Sequence, residues 1–253
     1  MINYNEASPI LINCIFHNNT GNSRGAGMYN HNSSPKLTNC KFSENSTNYG
    51  GGIYNVRSNI TLHNCIFTKN RAENSGGGIY NYDSSNLILT NCTFFGNSAG
   101  NGSALACDSA PSYPSIIEVT NCIFWDNQSE IWNNANSTIT INYSNIFGGW
   151  PGKDNIDADP CFVDPGYRAN ADDPNIVAEP NDPNAIWVDG DYHLKSQEGR
   201  WDPDSESWVF DDVTSPCIDA GDPNSPVASE PFPNGGRINM GAYGGTTEAS
   251  KSP

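Results

Sequence analysis

Gly76-Gly77-Gly78-Ile79-Tyr80-Asn81 is the stretch that decides the fold, because the chain repeats it. Gly50-Gly51-Gly52-Ile53-Tyr54-Asn55 has the same sequence, and Gly25-Ala26-Gly27-Met28-Tyr29-Asn30 is a close copy. A second phrase, Asn-Cys-x-Phe, alternates with the first and occurs at residues 39–42, 64–67 and 91–94. Two phrases that alternate at a steady spacing indicate a solenoid of stacked repeats.

Four columns of residues recur around five cysteines, which are spaced by 26, 25, 27 and 30 residues. An asparagine precedes each cysteine, a phenylalanine follows two positions later, an asparagine follows five positions later, and an apolar residue lies three positions before. The cysteines are Cys14, Cys40, Cys65, Cys92 and Cys122. The asparagine column five positions after the cysteines ends with Asn97 and Asn127.

The repeat predicts an all-β fold, a right-handed parallel β-helix of about six coils with an irregular C-terminal cap. Apolar residues alternate with a period of two in Ile60-x-Leu62 and Cys65-x-Phe67, as in a strand with one buried face. The alternation slips at Asn64, where a left-handed bend and an asparagine ladder are expected. The glycines of the first phrase would let neighbouring coils approach closely. Right-handedness is expected from the rule for parallel crossovers.

Charge divides the chain near Trp150. Residues 1–150 hold 8 acidic and 6 basic residues, a balance of -2, whereas residues 151–253 hold 20 acidic and 6 basic residues, a balance of -14; the whole chain has a net charge of -16. We therefore expect a solenoid over 1–150 and an acidic cap region over 151–253 that packs on it. The acidic balance argues against a nucleic-acid partner. No apolar run is long enough for a transmembrane segment.

The repeat phrases over residues 10–133 resemble those of the polymorphic outer-membrane protein family. That resemblance implies a surface-exposed right-handed parallel β-helix, often adhesive. The chain shows no secretory signal and opens within a repeat. We expect a signal peptide and further coils upstream of it.

Phrases of the acidic region resemble, in order, the C-terminal region of the "choice-of-anchor" type of bacterial exported β-helix proteins. They are Asp159-Pro160-Cys161-Phe162, Tyr192-His193-Leu194, Ser215-Pro216-Cys217-Ile218-Asp219-Ala220-Gly221 and Asn239-Met240-Gly241-Ala242-Tyr243-Gly244. The last phrase departs from the usual pattern by Asn239 for Asp and Gly244 for Glu. The resemblance implies export to the cell surface or the extracellular space, not a catalytic activity.

Large apolar residues within these phrases would cover the last open coil: Phe162, Tyr192, Leu194, Ile218 and Tyr243. The period of the column cysteines predicts buried thiols that act as small hydrophobes. The sequence leaves open whether Cys161 and Cys217 form a disulfide, which an exported chain would permit.

Motifs for catalysis are weak. The sequence contains no nucleophile elbow, no zinc-protease motif and no phosphate-binding loop. Two pairs are expected to stack on adjacent coils, Arg57 with Asp83 and Glu44 with Lys69, because each pair occupies equivalent repeat positions. They could belong to the uronate site of a polysaccharide lyase, or they could be surface ion pairs of little energetic weight.

Tyr29, Tyr54 and Tyr80 form a further column. If the neighbouring isoleucines are buried, alternation places these tyrosines outside, as a strip on which sugar rings could stack. Asp154, Asp157 and Asp159 could hold Ca²⁺ through oxygen ligands. Turn formation by aspartate before proline is the alternative.

The function expected from these observations is that of an exported, non-enzymatic surface module that binds polysaccharide or neighbouring cell-surface molecules, as an adhesin does. One alternative is a polysaccharide lyase or another carbohydrate-active enzyme on the same fold. Another alternative is a structural subunit that associates end to end, since an open solenoid end exposes strand edges.

Overall fold

A computed structural model describes residues 1–125, 129–134, 136–178 and 185–252. These residues form strands, turns and irregular segments. No helix in these ranges has the length and apolar character needed to cross a membrane. Asn127, the last member of its asparagine column, lies outside the described residues.

Residues 1–146 contain twenty short strands, three or four to each coil. In chain order they are β1 (Ile2–Tyr4), β2 (Ile10–Ile12), β3 (Ile15–His17), β4 (Met28–His31), β5 (Lys36–Thr38), β6 (Lys41–Ser43), β7 (Ser46–Tyr49), β8 (Ile53–Val56), β9 (Asn59–His63), β10 (Ile66–Thr68), β11 (Arg71–Ser75), β12 (Ile79–Tyr82), β13 (Asn86–Thr90), β14 (Thr93–Phe95), β15 (Leu105–Asp108), β16 (Ile116–Thr120), β17 (Ile123–Trp125), β18 (Ile131–Asn133), β19 (Thr138–Asn142) and β20 (Asn145–Ile146).

The remaining strands pair as antiparallel ribbons in the C-terminal region. They are β21 (Phe162–Asp164) with β24 (Asp191–Leu194), β22 (Tyr167–Ala169) with β23 (Ile186–Val188), and β25 (Arg200–Asp202) with β26 (Ser207–Val209).

Three parallel sheets of six strands wrap around one core. Sheet A contains β1, β4, β8, β12, β15 and β18; sheet B contains β2, β5, β9, β13, β16 and β19; sheet C contains β3, β6, β10, β14, β17 and β20. Equivalent residues pair from coil to coil, for example Tyr54 with Tyr80 and Phe67 with Phe94. The parallel β-helix predicted from the repeats is therefore confirmed.

Identical side chains stack inside the solenoid. The rings of Phe16, Phe42, Phe67, Phe94 and Phe124 lie nearly parallel, with successive centroids 4.5, 4.9, 4.7 and 4.8 Å apart. The column cysteines are free thiols within or beside this core. Burial raises the pKa of the Cys65 and Cys92 thiols, so these two remain protonated and unreactive.

Two asparagine ladders run along the solenoid. One joins Asn3, Asn30, Asn55 and Asn81 by Nδ2-to-Oδ1 hydrogen bonds of 2.7, 2.8 and 2.7 Å, and it uses the last residue of the opening phrase. The other joins Asn19, Asn45, Asn70 and Asn97 at 2.8, 2.9 and 2.9 Å. Because a side-chain amide can both donate and accept, the stacked asparagines provide hydrogen-bond partners for one another in the interior.

The glycines of the phrase permit the close approach that the sequence predicts. A Cβ added at Gly52 would lie 2.6 Å from the carbonyl oxygen of Gly78 on the next coil and 3.1 Å from the Phe67 ring. Gly50 has a φ of 66°, which glycine adopts without strain. The phrase therefore fixes the spacing between coils.

A short segment after Trp150 closes the last coil. Trp150 packs on the apolar core, and the backbone N–H of Tyr143 donates to Lys153 O at 2.8 Å. The N–H of Ile146 donates to Ile156 O at 2.9 Å, so the final strands have backbone partners.

The apolar residues that the sequence assigns to the last coil lie elsewhere. Phe162, Tyr192, Leu194 and Ile218 are buried against the outer face of sheet C, beside Ile123 and, partly exposed, Phe95. Tyr243 packs at the margin of the same cluster. The expectation fails because the outward positions of sheet C are themselves apolar, and they provide a broad surface along the flank of the solenoid on which these residues pack.

Cys161 and Cys217 are both free thiols, so the disulfide that the sequence left open is not formed in this structure. Cys217 is fully buried, and its Sγ atom accepts a hydrogen bond from Asn145 Nδ2 at 3.1 Å. Burial raises the pKa of this thiol to about 12.

Candidate functional site

A groove of about 340 Å³ lies where the C-terminal region meets the flank of the solenoid. Its solenoid wall comes from the turns between sheets B and C and from the start of β6 and β10. Its other wall comes from the chain around Tyr243 and Glu248. The lining residues include Asn13, Asn39, Lys41, Asn64, Ile66, Tyr243, Thr246, Thr247 and Glu248.

The asparagines that precede the column cysteines form the floor of this region. Asn13, Asn39, Asn64, Asn91 and Asn121 all have positive φ, between 51° and 57°, so the left-handed bend that the sequence predicts is found. The ladder predicted at this column is largely wrong, since one long Asn121-to-Asn91 hydrogen bond of 3.4 Å joins its members. At the bend the side chains point outward, away from the core.

The C-terminal chain occupies the upper part of this asparagine column. Asn64 Nδ2 donates to the carbonyl oxygens of Ala242 at 2.6 Å and Gly244 at 2.8 Å. Asn91 Nδ2 donates to those of Asn239 at 3.1 Å and Gly241 at 3.4 Å. Each side-chain amide therefore donates to two carbonyl oxygens that lie two residues apart. All four oxygens belong to the segment 239–244, which crosses from the coil of Asn91 to the coil of Asn64.

Asn121 extends this contact by one more coil. Its Oδ1 accepts from the backbone N–H of Asp222 at 2.7 Å, and its Nδ2 donates to Ser225 Oγ at 3.2 Å. The upper three asparagines thus bind the C-terminal region through both amide donors and amide acceptors.

Asn39 and Asn13 occupy the same column one and two coils below Asn64, and both are exposed in the groove. The C-terminal chain turns away before it reaches them. The groove therefore exposes two asparagines of a column whose other three members bind turn and loop segments of the C-terminal region. A ligand rich in carbonyl or hydroxyl oxygens could bind these two asparagines in the same way.

Charged groups border the groove on both walls. Lys41 Nζ makes an ion pair with Asp189 Oδ2, which anchors the C-terminal region to β6. Glu248 is about half exposed, at 47%, and its Oε2 lies 3.4 Å from His193 Nε2. The groove thus combines amide, hydroxyl and carboxylate groups with one aromatic ring, Tyr243.

His193 lies between Glu248 and the half-buried carboxylate of Asp191. Its Nδ1 donates to Asp191 Oδ1, its ring stacks on Tyr243 with centroids 3.6 Å apart, and its side chain is 2% exposed. Burial opposes ionisation of Asp191, but the hydrogen bond and charge of His193 outweigh it and lower the pKa of Asp191. Among the described residues His193 Nε2 makes no hydrogen bond, so Asp191, His193 and Glu248 are neighbours beside the groove and not a continuous hydrogen-bonded chain.

The tyrosine column lies on the outer face of sheet A, as alternation predicts, with Tyr29, Tyr54 and Tyr80 stacked at 5.3 and 5.2 Å. Tyr54 and Tyr80 are only 2% and 4% exposed, because Arg24 lies over Tyr54 and Tyr49 packs on Tyr80. Their ring faces are therefore covered. The sugar-binding role of this column stays a prediction, and the groove offers more accessible surface.

Arg57 and Asp83 lie on adjacent coils, as predicted, and Arg57 N donates to Asp83 O at 2.9 Å. Their side chains have separate partners. Asp83 Oδ1 accepts from Ala110 N at 2.9 Å, and the Arg57 guanidinium lies 5.7 Å from the ring centroid of Tyr113.

Glu44 and Lys69 also occupy equivalent positions on neighbouring coils. Glu44 Oε1 lies 3.6 Å from His17 Nδ1, whereas Lys69 Nζ lies 3.9 Å from the ring centroid of Trp187. A uronate site built from either pair stays a prediction, and these contacts direct the side chains to other groups.

Asp154, Asp157 and Asp159 are not brought together. Asp157 Oδ1 accepts from Gly148 N at 3.1 Å and Asp159 Oδ1 accepts from Cys161 N at 2.8 Å, while Asp154 has a φ of 51°. Within the described ranges, no group of three or more histidine, cysteine, aspartate or glutamate residues is placed to hold a metal ion. The turn interpretation of these aspartates fits their contacts.

The groove residues Asn39, Lys41 and Glu248 were not singled out as a site by the sequence. The asparagine column was visible as a repeat, but its role as a docking surface depends on where the C-terminal chain runs. The repeat positions alone do not predict where the C-terminal chain runs along the solenoid.

Two comparisons with protein families match parts of the chain. Residues 1–116 match the family described as right handed beta helix region, and residues 164–221 match the family described as disaggregatase related. No curated protein and no solved structure is significantly similar to the chain. The first match covers most of the stacked sheets and agrees in handedness with the crossover rule. The second covers β24, which supplies Asp191 and His193, and Asp189 just before it. The solenoid is thus a right-handed parallel β-helix.

Proposed function

We propose that this protein is an exported, surface-exposed β-helix module that binds a polysaccharide, without turning it over, in the groove between the solenoid and the C-terminal region. The observation that carries the proposal is the asparagine column. Asn64 and Asn91 donate to four carbonyl oxygens of the turn-forming segment 239–244, and Asn39 and Asn13 continue the same column as exposed amides in the groove. A polysaccharide offers hydroxyl and ring oxygens at a comparable density.

The charge of the groove favours a neutral or amino-bearing polymer. Asp189 neutralises Lys41, and Glu248 is the carboxylate that faces the groove. The C-terminal region that forms one wall is strongly acidic. A polyuronate would meet repulsion here, whereas a glucosamine polymer could pair its ammonium group with Glu248.

Export and surface location are supported by the resemblances of the repeats and of the C-terminal phrases. The similarity of residues 164–221 to disaggregatase-related proteins also fits.

A glycan array carrying hexasaccharides of glucosamine, N-acetylglucosamine and galacturonate tests the proposal. We expect binding to the glucosamine or N-acetylglucosamine series and none to galacturonate. Equal binding to all three, or no binding to any, would count against the groove as a selective polysaccharide site.

A carbohydrate-active enzyme is the second candidate, because the imidazole of His193 lies between the carboxylates of Asp191 and Glu248 beside the groove. Ultraviolet absorbance from an unsaturated product, measured during incubation with polygalacturonate, would reveal a lyase. Reducing ends released from chitosan would reveal a hydrolase. The binding proposal expects neither signal.

A further inference from the structure

The β25–β26 ribbon carries an exposed aromatic patch, formed by Trp201, Trp208 and Phe210. The two strands pair Trp201 directly with Trp208, and the rings meet edge to face with centroids 5.6 Å apart. Phe210 follows β26 directly, two residues after Trp208, and it is 74% exposed. Exposed apolar surface of this kind often marks a binding site.

The other face of the ribbon packs on the protein. Arg200 precedes Trp201, and its side chain is 14% exposed because its Nε donates to Asp211 Oδ1 at 3.1 Å. Its Nη1 lies 3.9 Å from Asp191 Oδ2. Because neighbours along a strand point to opposite faces, Trp201 and its partner Trp208 point away from this ion pair, and both are partly exposed.

Negative charge surrounds the aromatic patch. Residues 200–212 contain five acidic residues and one basic residue, whose guanidinium is already paired. Among the described residues, Asp202, Asp204 and Glu206 make no ion pair. A hydrogen bond from Ser205 lowers the pKa of Asp202, so this carboxyl stays ionised. The aromatic patch therefore suits a ligand that carries positive charge.

A cation of the protein already lies on one of the rings. Lys251 Nζ is 4.0 Å from the ring centroid of Trp208, and Lys251 N donates to Gly199 O at 2.8 Å, which holds the lysine beside the ribbon. An ammonium group is attracted to the face of an indole ring. Among the described residues, no lysine or arginine lies over Trp201 or Phe210. These two rings are therefore open to a cationic ligand.

The segment 248–251 connects the groove to the aromatic patch. Glu248 lines the groove, and Lys251, three residues later, lies on Trp208. Three residues span at most about 10 Å. A polymer bound in the groove could therefore reach the aromatic patch.

We propose that Trp201, Trp208 and Phe210 form a second carbohydrate site, which binds the amino sugars of a glucosamine polymer. The proposal rests on the proposed function for the class of polymer, but not for the groove. Apolar faces of the sugar rings would stack on the aromatic rings, and the ammonium groups would lie over the open rings or beside Asp204 and Glu206. An N-acetylated polymer keeps the stacking and loses the charge, so it should bind more weakly.

NMR of the six tryptophan indole N–H groups tests the site locally. Glucosamine hexasaccharide should shift the signals of Trp201 and Trp208, which are assigned with Trp201→Phe and Trp208→Phe. N-acetylglucosamine hexasaccharide should shift them less. Trp150, which packs on the solenoid core, is the internal control and should not shift.

The groove variant separates this proposal from the proposed function. Asn13→Gly/Asn39→Gly removes the exposed amides of the groove but leaves the ribbon intact, so the shifts of Trp201 and Trp208 should persist in it. If glucosamine hexasaccharide binds to the wild type without moving these two signals, the second site is wrong and the groove is unaffected.

Variants of exposed side chains test the aromatic patch without disturbing the core. Phe210→Ala and the double variant Asp204→Asn/Glu206→Gln should each weaken glucosamine binding about threefold or more, as read from the Trp201 signal. Phe232→Ala, at a ring that is 86% exposed outside the ribbon, should bind like the wild type.

Four results would overturn the proposal. The signals of Trp201 and Trp208 stay unmoved by glucosamine hexasaccharide, or they move equally with the N-acetylated form. The variants at Phe210 and at the two acidic residues bind like the wild type. A lysine hexapeptide moves the same signals as strongly, in which case the aromatic patch recognises basic peptides and not a sugar.

Discussion

Asn64 Nδ2 lies 2.6 Å from the carbonyl oxygen of Ala242, a residue 178 positions later in the chain. This hydrogen bond joins a repeat position of the solenoid to the irregular C-terminal region. It also marks where the asparagine column changes from a docking surface to an open groove, because Asn39, one coil below, has no such partner in the described C-terminal chain. The same column therefore contributes to stability and to the proposed binding site.

Asn64→Gly should weaken the docking of the C-terminal region. Glycine preserves the left-handed backbone, so the variant removes the two side-chain hydrogen bonds and leaves two buried carbonyl oxygens unpaired. We expect a loss of about 1–3 kcal/mol in the free energy of unfolding, measured by denaturant titration.

Asn39→Gly is the matched control, since its φ is the same within a few degrees. It should change stability by no more than about 0.5 kcal/mol. Equal losses in the two variants would show that the backbone bend, and not the contact with Ala242 and Gly244, accounts for the effect.

Phe67→Ala should be severely destabilising. The Phe67 ring is fully buried between Phe42 and Phe94, so its loss leaves a cavity in the stack. We expect a loss of about 3–5 kcal/mol in the free energy of unfolding. Phe210→Ala, at a ring that is 74% exposed, should stay within about 0.5 kcal/mol of the wild type. Similar losses at both positions would contradict the assignment of the core.

Stability should fall as pH rises from about 4.5 to about 7. Burial raises the pKa of Glu230 from 4.5 to about 7, so the folded chain holds a proton that the unfolded chain has released between these values. Below pH 4.5 there is no penalty, and by pH 8 the penalty is complete, at most about 3 kcal/mol.

Glu230→Gln cannot titrate, so its free energy of unfolding should fall less between pH 5 and pH 8 than that of the wild type. Chemical denaturation at both pH values measures the difference. Parallel curves for the two proteins would contradict the burial of an unpaired carboxylate at this position.

Thiol counting checks the cysteine assignments. In denaturant without reductant, all eight thiols should react, because none is oxidised in the structure. In the native state the buried thiols should react slowly, whereas the half-buried Cys14 and Cys161 should react first. A count of six thiols without reductant and eight with it would show that the chain contains a disulfide and would contradict the structure.

The sequence predicts most of the solenoid because each coil repeats the same residue pattern and therefore the same local backbone geometry. The Phe stack, the column cysteines, the close passage at Gly52 and the ladder through Asn81 all follow from period, alternation and backbone geometry. The ladder predicted at Asn64 is largely absent for a physical reason. An outward amide at a bend can bind its neighbour or a foreign chain, and the local sequence does not distinguish the two.

The candidate site was less predictable. The outer face of sheet C carries Ile66, Phe95 and Ile123, whose outward direction follows from alternation with the buried phenylalanines. That signal predicts a covered flank, but not which segment covers it or where the covering ends. The tyrosine column shows the converse. Its direction was predictable, but its burial depends on Arg24 and Tyr49, which lie outside the phrase.

The affinity of the groove for a defined oligosaccharide tests the central claim most directly. Isothermal titration with glucosamine hexasaccharide and N-acetylglucosamine hexasaccharide should compare the wild type with the double variant Asn13→Gly/Asn39→Gly. Asn18→Gly serves as the control, because Asn18 is exposed with a φ of 51° but does not line the groove. The loss of two amide donors should weaken binding at least about tenfold, whereas the control should bind like the wild type. Equal dissociation constants for all three proteins would contradict the account.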